Sequence, residues 1–398
     1  MSRTYDVVVV GAGAAGIAAA SSARKTNADC SILVINGEDR IPYKRTRISK
    51  NLAYGYQRDQ FALHDEQWYS QNRIDRLDGT TLTAIDRDGK TITCSDGGEP
   101  IGYGALVLAL GGEPLFPRVV RPHETGSFFV LRSAQDGEAL RGRAHKAKTV
   151  LVAGMGVLAV EVANQLKAMG KRVTLAGATP QLIPRQLNAR AGEILENVLT
   201  TRQVKLLFQE EILSFERNRK KNWTVEMLKH TAHYDMVVFC IGVAPRVDVA
   251  RAAGLDGERG IRVDNQLRTN DPHIFAAGDC AEQPDGTVSQ LWHEAEDQGT
   301  VAGANAAGDN REVDRRPHRL KSEVFEQFVF SINKPREPWE FEVDEYEDGS
   351  TYYALYWNGD DTLYGAVMLN DAEYAPQLET AVREAWDKRR VLEALELD

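Results

Sequence analysis

Three glycines near the start of the chain have the spacing of a phosphate-binding turn. Gly11, Gly13 and Gly16 form a G-x-G-x-x-G pattern between a run of β-branched residues and an alanine-rich stretch. The first glycine permits a tight turn, the second lets a pyrophosphate approach the backbone, and the third lets helix and strand pack closely. The N–H groups at the helix start then bind the phosphates. The stretch predicts a dinucleotide site, with an ordinary strand-to-helix turn as the alternative.

A second pattern of this kind occurs further along the chain. Gly154, Gly156 and Ala159 form G-x-G-x-x-A after the strand-like residues 149–153. Two such units in one chain predict two nucleotide ligands and an internal duplication. The next strand ends in Gly177-Ala178-Thr179, which contains neither the acid that usually selects NADH nor an arginine that selects NADPH. The choice is therefore open, and NADH is slightly favoured because no cation is there to neutralise a 2′-phosphate.

Two acidic residues follow predicted strands. Glu38 comes after the strand-like residues 30–35, where an acid hydrogen-bonds the adenosine ribose. A solvated loop carboxylate is the alternative. Asp279 follows the strand-like residues 274–277, and its carboxylate suits a sugar or ribityl hydroxyl. It could also cap a helix.

A basic loop covers residues 40–50, which include five cations and no acid. Because loops after the carboxyl ends of strands line the ligand crevice, we expect this loop to lie over a cofactor. A solvated basic loop is the alternative. Two buried strands end in glycines at Gly111 and Gly242, which suits close approach of the backbone to a ligand.

The composition is that of a soluble globular protein of two or three domains. The 398 residues are 42% hydrophobic and 27% charged, and no apolar run approaches the ~20 residues that span a bilayer. The net charge of −10 argues against nucleic-acid binding. The four cysteines are far apart without a C-x-x-C pattern, so we expect reduced thiols and neither disulfides nor a metal site. Because the first strand begins at about residue 5, we expect no signal peptide and a cytoplasmic location.

The chain order predicts further elements outside the two nucleotide-binding units. Residues 75–106 alternate short strands and turns, which predicts a β-ribbon inserted into the first domain. From about residue 317 the composition changes. There we expect strands over 322–331, 339–344, 351–357 and 362–369 and a final amphipathic helix over 375–397. These elements predict a small α+β domain.

Together these motifs resemble the flavoprotein reductases with two dinucleotide-binding domains, over essentially the whole chain. The residues that carry the resemblance are Gly11–Gly16, Ala109-Leu110-Gly111, Gly154–Ala159, Gly242-x-x-Pro245 and Ile274–Asp279. Residues 42–50 are similar to the P-Y-x-R-x-x-L-S-K segment of reductases that supply small iron proteins. Residues 320–367 are similar to the C-terminal domain of rubredoxin reductases and of the flavin part of assimilatory nitrite reductases.

The resemblance implies a role for each matching residue. The ADP half of FAD would be bound by Gly11, Gly13, Ala14, Ala15, Gly16 and Glu38, and its adenine by the backbone at Leu82. Arg45, Lys50 and Trp292 would lie near the flavin, and Asp279 would bind the ribityl chain. The remaining cofactor-binding residues would be Ala109, Gly111, Gly154, Gly156, Ala159 and Gly242. Lys50 and Glu161, the predicted catalytic residues, would form an ion pair that ties the two domains together; two surface charges are the alternative.

The resemblance also implies an α/β fold with two Rossmann-like, three-layer domains and a small C-terminal α+β domain. The FAD-binding domain would comprise residues 1–116 and 246–316, the NAD(P)H-binding domain 117–245, and the C-terminal domain 317–398. Non-covalent FAD would take electrons from NADH or NADPH and pass them to a small acidic rubredoxin-like or ferredoxin-like protein. A reductase of oxygen, quinone or nitrogen oxides, the flavin component of a larger reductase, and a flavin-bound sensor are the alternatives. We expect no membrane partner, and either a monomer or a homodimer.

Three departures from related patterns narrow this prediction. Disulfide reductases of the superfamily have a redox cysteine near residues 42–46, and this chain has Pro42-Tyr-Lys-Arg-Thr46 there. We therefore disfavour disulfide substrates. In the family's A-T-G motif, here Ala109-Leu110-Gly111, a leucine replaces the threonine, and we expect no consequence from it. The aromatic cluster of oxygenase-coupled ferredoxin reductases is not evident around Glu326–Phe328. The last departure favours a rubredoxin-type acceptor.

Overall fold

The computed structural model describes residues 3–57, 59–218, 222–314 and 316–397, which include every predicted site residue; the predicted domain limits at 1 and 398 lie outside them. The β-strands are β1 (Thr4–Val10), β2 (Ile32–Ile35), β3 (Ile74–Leu77), β4 (Leu82–Asp86), β5 (Thr91–Cys94), β6 (Ile101–Leu108), β7 (Gly112–Pro114), β8 (Thr149–Ala153), β9 (Arg172–Gly177), β10 (Lys205–Phe208), β11 (Ile212–Arg217), β12 (Trp223–Met227), β13 (Thr231–Tyr234), β14 (Met236–Phe239), β15 (Val243–Pro245), β16 (Ile261–Arg262), β17 (Ile274–Ala276), β18 (Ala281–Glu282), β19 (Arg319–Val324), β20 (Gln327–Ile332), β21 (Glu342–Asp348), β22 (Thr351–Trp357) and β23 (Leu363–Leu369). The α-helices are α1 (Ala14–Thr26), α2 (Thr46–Lys50), α3 (Glu66–Gln71), α4 (Ala134–Lys146), α5 (Val157–Ala168), α6 (Ala189–Thr201), α7 (Asp248–Ala252), α8 (Trp292–Ala306), α9 (Ala375–Arg383) and α10 (Lys388–Leu395).

The contacts divide the chain into two compact units. Unit 1 comprises Met1–Ile48, Tyr56–Glu113 and Val243–Arg315, and unit 2 comprises Ser49–Gly55, Pro114–Gly242 and Arg316–Asp398. The predicted α/β fold class is confirmed, since both units contain a parallel sheet of the Rossmann type. The finer division into three domains stays a prediction.

Unit 1 is built on a seven-stranded sheet with strand order β3-β2-β1-β6-β5-β4, and β17 pairs with β6 as well. Strand β1 lies in the middle, parallel to β2 and β6, and its last four residues are buried. Burial of both faces explains why this strand is a continuous run of valines. Strand β3 is parallel to β2 and belongs to this sheet, so the predicted ribbon over 75–106 is limited to the antiparallel pair β4 and β5.

Helices α1 and α8 of unit 1 pack against each other at very short distance. A Cβ added to Gly299 of α8 would lie 2.1 Å from the Ala15 carbonyl oxygen, and one added to Gly303 would lie 2.0 Å from that of Ala19. No side chain fits such gaps, so α8 and α1 meet through glycine and alanine. Their contact places the start of α8 beside the turn that joins β1 to α1.

Unit 2 contains a four-stranded parallel sheet with order β10-β9-β8-β14 and a three-stranded antiparallel sheet, β11-β12-β13. Strand β8 is buried from Val150 onward and lies between β9 and β14. In the core between the sheets, Phe128 stacks on Trp223 at a centroid distance of 4.5 Å. This sheet brings the carboxyl ends of β8, β9 and β14 to one edge.

The C-terminal part of unit 2 is a five-stranded antiparallel sheet, β19-β20-β23-β22-β21, whose core is shared with α9 and α10. Three predictions need correction here. The expected strand over 322–331 is a hairpin that turns at Phe325 and Glu326, and the expected strand over 339–344 begins only at Glu342. The expected helix over 375–397 breaks before Asp387, whose carboxylate caps α10 by accepting the Arg390 N–H at 2.9 Å.

Candidate active site

The first glycine motif leaves room for a ligand at one glycine only. Gly11 has φ +107°, and a Cβ there would lie 2.0 Å from the Ala109 carbonyl oxygen. A Cβ on Gly16 would lie 1.7 Å from the Gly11 carbonyl oxygen, so packing within the protein requires both glycines. A Cβ on Gly13 would meet only the Arg45 side chain, at 3.9 Å. The space beside Gly13 lies at the N-terminus of α1, which has no side-chain cap. These are the features of a phosphate cradle.

Glu38 and Arg45 contact each other beside this cradle. Arg45 Nη2 donates to Glu38 Oε1 at 2.5 Å, and the Tyr43 hydroxyl donates to Glu38 Oε2 at 2.9 Å. Burial opposes the charge of Arg45, but the electrostatic influence of Tyr43 and Glu38 outweighs it and raises the Arg45 pKa. Asp279 also interacts electrostatically with Arg45. The guanidinium is therefore bound to the predicted ribose carboxylate beside Gly13, where it suits a pyrophosphate.

Asp279 follows β17 in a short 3₁₀ turn, Gly278–Cys280. The turn is fixed by buried contacts: Gly278 N–H donates to Gln298 Oε1 at 2.8 Å, and a Cβ on Gly278 would lie 3.0 Å from Ala15. Ala109, at the end of β6, donates its N–H to the Val10 carbonyl at 2.8 Å. The predicted FAD-binding residues thus come from neighbouring strand ends of one sheet.

Leu82 and Trp292 complete the predicted FAD-binding residues of unit 1. Leu82 begins β4, next to Thr81, whose side chain would lie 3.3 Å from a Cβ on Gly37. Residue 82 is therefore close to the Glu38 turn. Trp292 is the first residue of α8, and burial raises the pKa of Glu296, one turn further along the helix.

The second glycine motif has the same construction in unit 2. Gly154 has φ +134°, and a Cβ there would lie 2.3 Å from the Cys240 carbonyl oxygen; a Cβ on Gly156 would meet nothing within 4 Å. Gly156 precedes α5 without a side-chain cap, and Ala159 is fully buried. Gly242, at φ +114°, follows β14 at the same sheet edge. These are again the features of a phosphate cradle.

Lys50 and Glu161 lie together in unit 2. Lys50 Nζ is 4.0 Å from Glu161 Oε1, and the segment Ser49–Gly55 belongs to the same unit as α5. Two serines that the sequence analysis did not identify bind the carboxylate: Ser49 Oγ donates to Oε2 at 2.5 Å and Ser322 Oγ to Oε1 at 2.7 Å. Ser49 is adjacent to Lys50 in the sequence, but no sequence signal indicated Ser322.

The sequence profile described as Pyridine nucleotide-disulphide oxidoreductase matches residues 5–299. The chain belongs to this family. The match includes both glycine cradles and the Gly278–Asp279 turn, and it confirms the predicted superfamily. Enzymes of the pyridine nucleotide–disulphide oxidoreductase family use FAD and NAD(P)H, as predicted.

Similar proteins include reductases and an oxidase. An NADH oxidase from Methanocaldococcus jannaschii is 33% identical over 314 residues, which are 76% of this chain and 70% of the relative. The ferredoxin–NAD(+) reductase component of an anthranilate 1,2-dioxygenase system from Burkholderia cepacia is 33% identical over 313 residues, 76% of this chain and 75% of the relative. The crystal structure of a ferredoxin reductase from Rhodopseudomonas palustris superposes with a TM-score of 0.89 at 26% identity, covering 99% of this chain and 98% of that one.

The residues present fit both cofactors of the family. Each cradle has an open middle glycine, and its first glycine packs against the protein itself. Arg45 supplies a cation beside the first cradle, and Glu38 and Asp279 supply acceptors for sugar or ribityl hydroxyls. Within residues 3–57, 59–218, 222–314 and 316–397, no cluster of His, Cys, Asp or Glu could hold a metal ion, and no helix is long and apolar enough to span a membrane.

The four cysteines are poorly suited to the disulfide chemistry in the family's name. All are free and buried. Burial raises the pKa of all four thiols above the usual value. The pKa reaches about 12 for Cys240 and about 11 for Cys94 and Cys280. Because the thiolate is the nucleophile, these thiols have little reactivity at neutral pH.

Alkylation tests this interpretation. At pH 8 a thiol with a pKa of 11 is about one part in a thousand thiolate. We therefore expect that iodoacetamide leaves the NADH-dependent dye reduction of the folded protein unchanged, and that all four thiols are labelled only after unfolding. Mass spectrometry and an activity assay on the same sample measure both. Rapid inactivation that tracks the labelling of one cysteine would contradict the prediction.

Proposed function

We propose that this protein is an FAD-dependent NAD(P)H oxidoreductase that passes electrons to a small iron electron-transfer protein. The observation that carries the proposal is the pair of open cradles at Gly13 and Gly156 in a chain whose four thiols are buried. Because the protein would bind two dinucleotides and its four thiols are buried, the flavin itself must reduce the acceptor. Bound FAD can accept two electrons as hydride from NAD(P)H and release them singly, which a one-electron iron protein requires.

The residues of unit 1 hold the flavin nucleotide in this proposal. The N–H groups at the start of α1 bind the pyrophosphate, and the Arg45 guanidinium neutralises it. Glu38 accepts from the adenosine ribose, and Asp279 accepts from the ribityl chain. The hydrogen bonds from Tyr43 to Glu38 and from Gly278 to Gln298 keep both acceptors in place before the cofactor binds.

The residues of unit 2 bind the nicotinamide nucleotide. Its pyrophosphate lies at Gly156, and the glycines at the ends of β8 and β14 let it approach the backbone. We propose NADH as the donor. Residues 177–179 contain no cation that could neutralise a 2′-phosphate. The backbone at Gly177 is also tightly packed, since an added Cβ would lie 2.9 Å from Met155 Cγ. Lys50 and Glu161 form the charged pair that acts beside the reacting rings.

The acceptor is attracted by exposed cations of the basic loop. Arg45 is bound by Glu38, so the attraction falls mainly on Lys44 and Arg47, which are exposed. Local positive charge on a protein of net charge −10 favours an acidic partner at this place. We also propose a cytoplasmic location, where free thiols persist.

Salt dependence tests the acceptor. We expect the rate of electron transfer from the NADH-reduced enzyme to an acidic rubredoxin or ferredoxin to fall about tenfold between low salt and about 0.3 M NaCl, because salt screens steering. Reduction of a small uncharged dye should change less than about twofold, since it needs no steering. Stopped-flow absorbance of the flavin measures both. Equal salt dependence of the two rates would contradict the proposal.

A second candidate function is reduction of a small acceptor such as oxygen. It is favoured by the similarity to a protein named NADH oxidase. Such an enzyme would turn over fully with NADH in air without a protein partner. Flavin that reoxidises slowly in air and rapidly with the iron protein would exclude it.

A further inference from the structure

We propose that Ser322, in strand β19 of the C-terminal sheet, is a positioning residue for the Glu161 carboxylate and, through it, for Lys50. The inference rests on the proposed function, in which the Lys50–Glu161 pair acts during flavin reduction. It gives the C-terminal sheet a part in that step, although its sequence contains no motif of its own. The contact joins residues 161 positions apart in the sequence.

The two oxygens of Glu161 are held by different serines. Ser49 Oγ donates to Oε2 at 2.5 Å, and Ser322 Oγ donates to Oε1 at 2.7 Å. Lys50 Nζ lies 4.0 Å from the same Oε1, which is beyond hydrogen-bond distance. The orientation of the carboxylate is therefore set by two hydroxyl donors, and Lys50 interacts with it as a separate charge.

Burial makes these hydrogen bonds necessary. The Glu161 side chain is 11% exposed, and Ser49 and Ser322 are each 4% exposed. A carboxylate largely removed from water must receive its hydrogen bonds from the protein, since unsatisfied buried charge is strongly unfavourable. The Lys50 side chain, at 36% exposed, retains contact with water. The serines thus hold the buried member of the pair, and the lysine keeps the freer position.

Ser322 and Lys50 face the same oxygen, which gives the serine a specific effect. A carboxylate oxygen can accept two hydrogen bonds, but Oε1 already has a donor in the Ser322 hydroxyl, and Lys50 Nζ stays 4.0 Å from it. Without that hydroxyl, the ammonium group of Lys50 is the donor that can replace the lost hydrogen bond to Oε1. The carboxylate would then rotate toward Lys50 and bind its ammonium group directly. Ser322 therefore keeps the two charges apart.

Crystal structures of the FAD-bound wild type and of Ser322→Ala test the geometry. We expect the distance between Lys50 Nζ and Glu161 Oε1 to shorten in the variant to about 3 Å, the range of a direct hydrogen bond. An unchanged Glu161 rotamer and an unchanged distance in Ser322→Ala would overturn the proposal, whatever the activity of the protein.

Anaerobic reduction of the bound flavin by NADH tests the consequence and needs no protein acceptor. We expect the limiting rate of Ser322→Ala to fall about tenfold, because a small misplacement of a reacting group is costly, with the apparent Kd for NADH unchanged. Ser322→Thr keeps the hydroxyl and should restore the rate to within about twofold. Ser331→Ala removes a serine that is 3% exposed from the neighbouring strand β20 and should leave the rate unchanged.

The outcomes separate this proposal from the proposed function. If NADH does not reduce the flavin of the wild type, the proposed function fails. If NADH reduces the flavin of the wild type and of Ser322→Ala equally fast, the positioning role fails. It also fails if the limiting rates of Ser322→Ala and Ser331→Ala fall by the same factor. A loss in Ser322→Ala that Ser322→Thr does not restore also contradicts it.

Discussion

Replacing Gly13 by alanine should remove most of the FAD from a protein that still folds. Gly13 has φ −83° and ψ −164°, which alanine adopts without strain, and its added Cβ would meet only Arg45 at 3.9 Å. The methyl group would occupy the space in which the pyrophosphate approaches the helix N–H groups. Losing two charged hydrogen bonds of about 1.5–3 kcal/mol each gives an increase in the FAD Kd of about 100-fold or more.

The measurement is the ratio of flavin absorbance to protein in the purified variant, followed by titration of the apoprotein with FAD. Thermal unfolding of the apoprotein reports the fold. We expect the free energy of unfolding to fall by at most about 1 kcal/mol, since alanine is a poorer helix N-cap than glycine.

Gly156→Ala is the matched control, because Gly156 has the same N-cap position in α5 and equal space around it. It should retain FAD and instead weaken NADH binding. A Gly13→Ala protein that binds FAD as the wild type does would refute the cradle.

The glycine motifs could be predicted because their chemistry depends on local geometry. Gly16 packs against the Gly11 carbonyl within one strand-turn-helix unit, whereas Gly11 and Gly154 pack against the carbonyls of Ala109 and Cys240, each just after a neighbouring strand. The Ala-Ala-Gly-Asp stretch that ends at Asp279 has a similarly specific order, although distant Gln298 and Ala15 hold its turn. Sequence spacing specifies such units almost completely, because turn, helix start and ligand contacts lie within a few residues of one another.

The features that could not be predicted depend on contacts between residues far apart in the sequence, or on turns without glycine or asparagine. Ser322 is bound to Glu161 by a fold-dependent contact that no local pattern records. The hairpin between β19 and β20 turns at Phe325 and Glu326, which have φ of +51° and +62°. Turns with positive φ usually contain glycine or asparagine, so these two residues gave no turn signal and the two strands were predicted as one.

The direction of the Arg45 side chain depends on partners that a sequence motif does not record. The resemblance implies that Arg45 lies near the flavin, which stays a prediction, and the structure places its guanidinium beside Glu38 and Gly13. The backbone position of a loop residue can be inferred from a motif, but a long side chain reaches several ångströms in a direction set by its partners. Here Glu38 and Tyr43 supply those partners, and Arg45 consequently suits the pyrophosphate.

Replacing Lys50 by methionine should slow flavin reduction by NADH about 100-fold while FAD remains bound, because one fixed stabilising group at a reacting centre is commonly worth 10²–10³ in rate. Methionine keeps much of the length and removes the charge. Glu161 keeps its hydrogen bonds from Ser49 and Ser322, so the buried carboxylate is not left without donors. The variant should therefore unfold at nearly the wild-type temperature. Anaerobic stopped-flow absorbance gives the limiting rate, and the flavin spectrum gives the FAD content.

Lys167→Met is the control for this variant, because Lys167 is a partly buried lysine on α5, the helix that carries Glu161. Its ammonium lies 3.4 Å from the Gln203 carbonyl at the far end of the helix. Loss of charge there should leave the rate unchanged. Wild-type flavin reduction by Lys50→Met would show that the ammonium group does not act at the flavin, and the Lys50–Glu161 contact would then be structural. A selective loss in Lys50→Met would instead assign the positive charge a direct part in electron transfer from NADH.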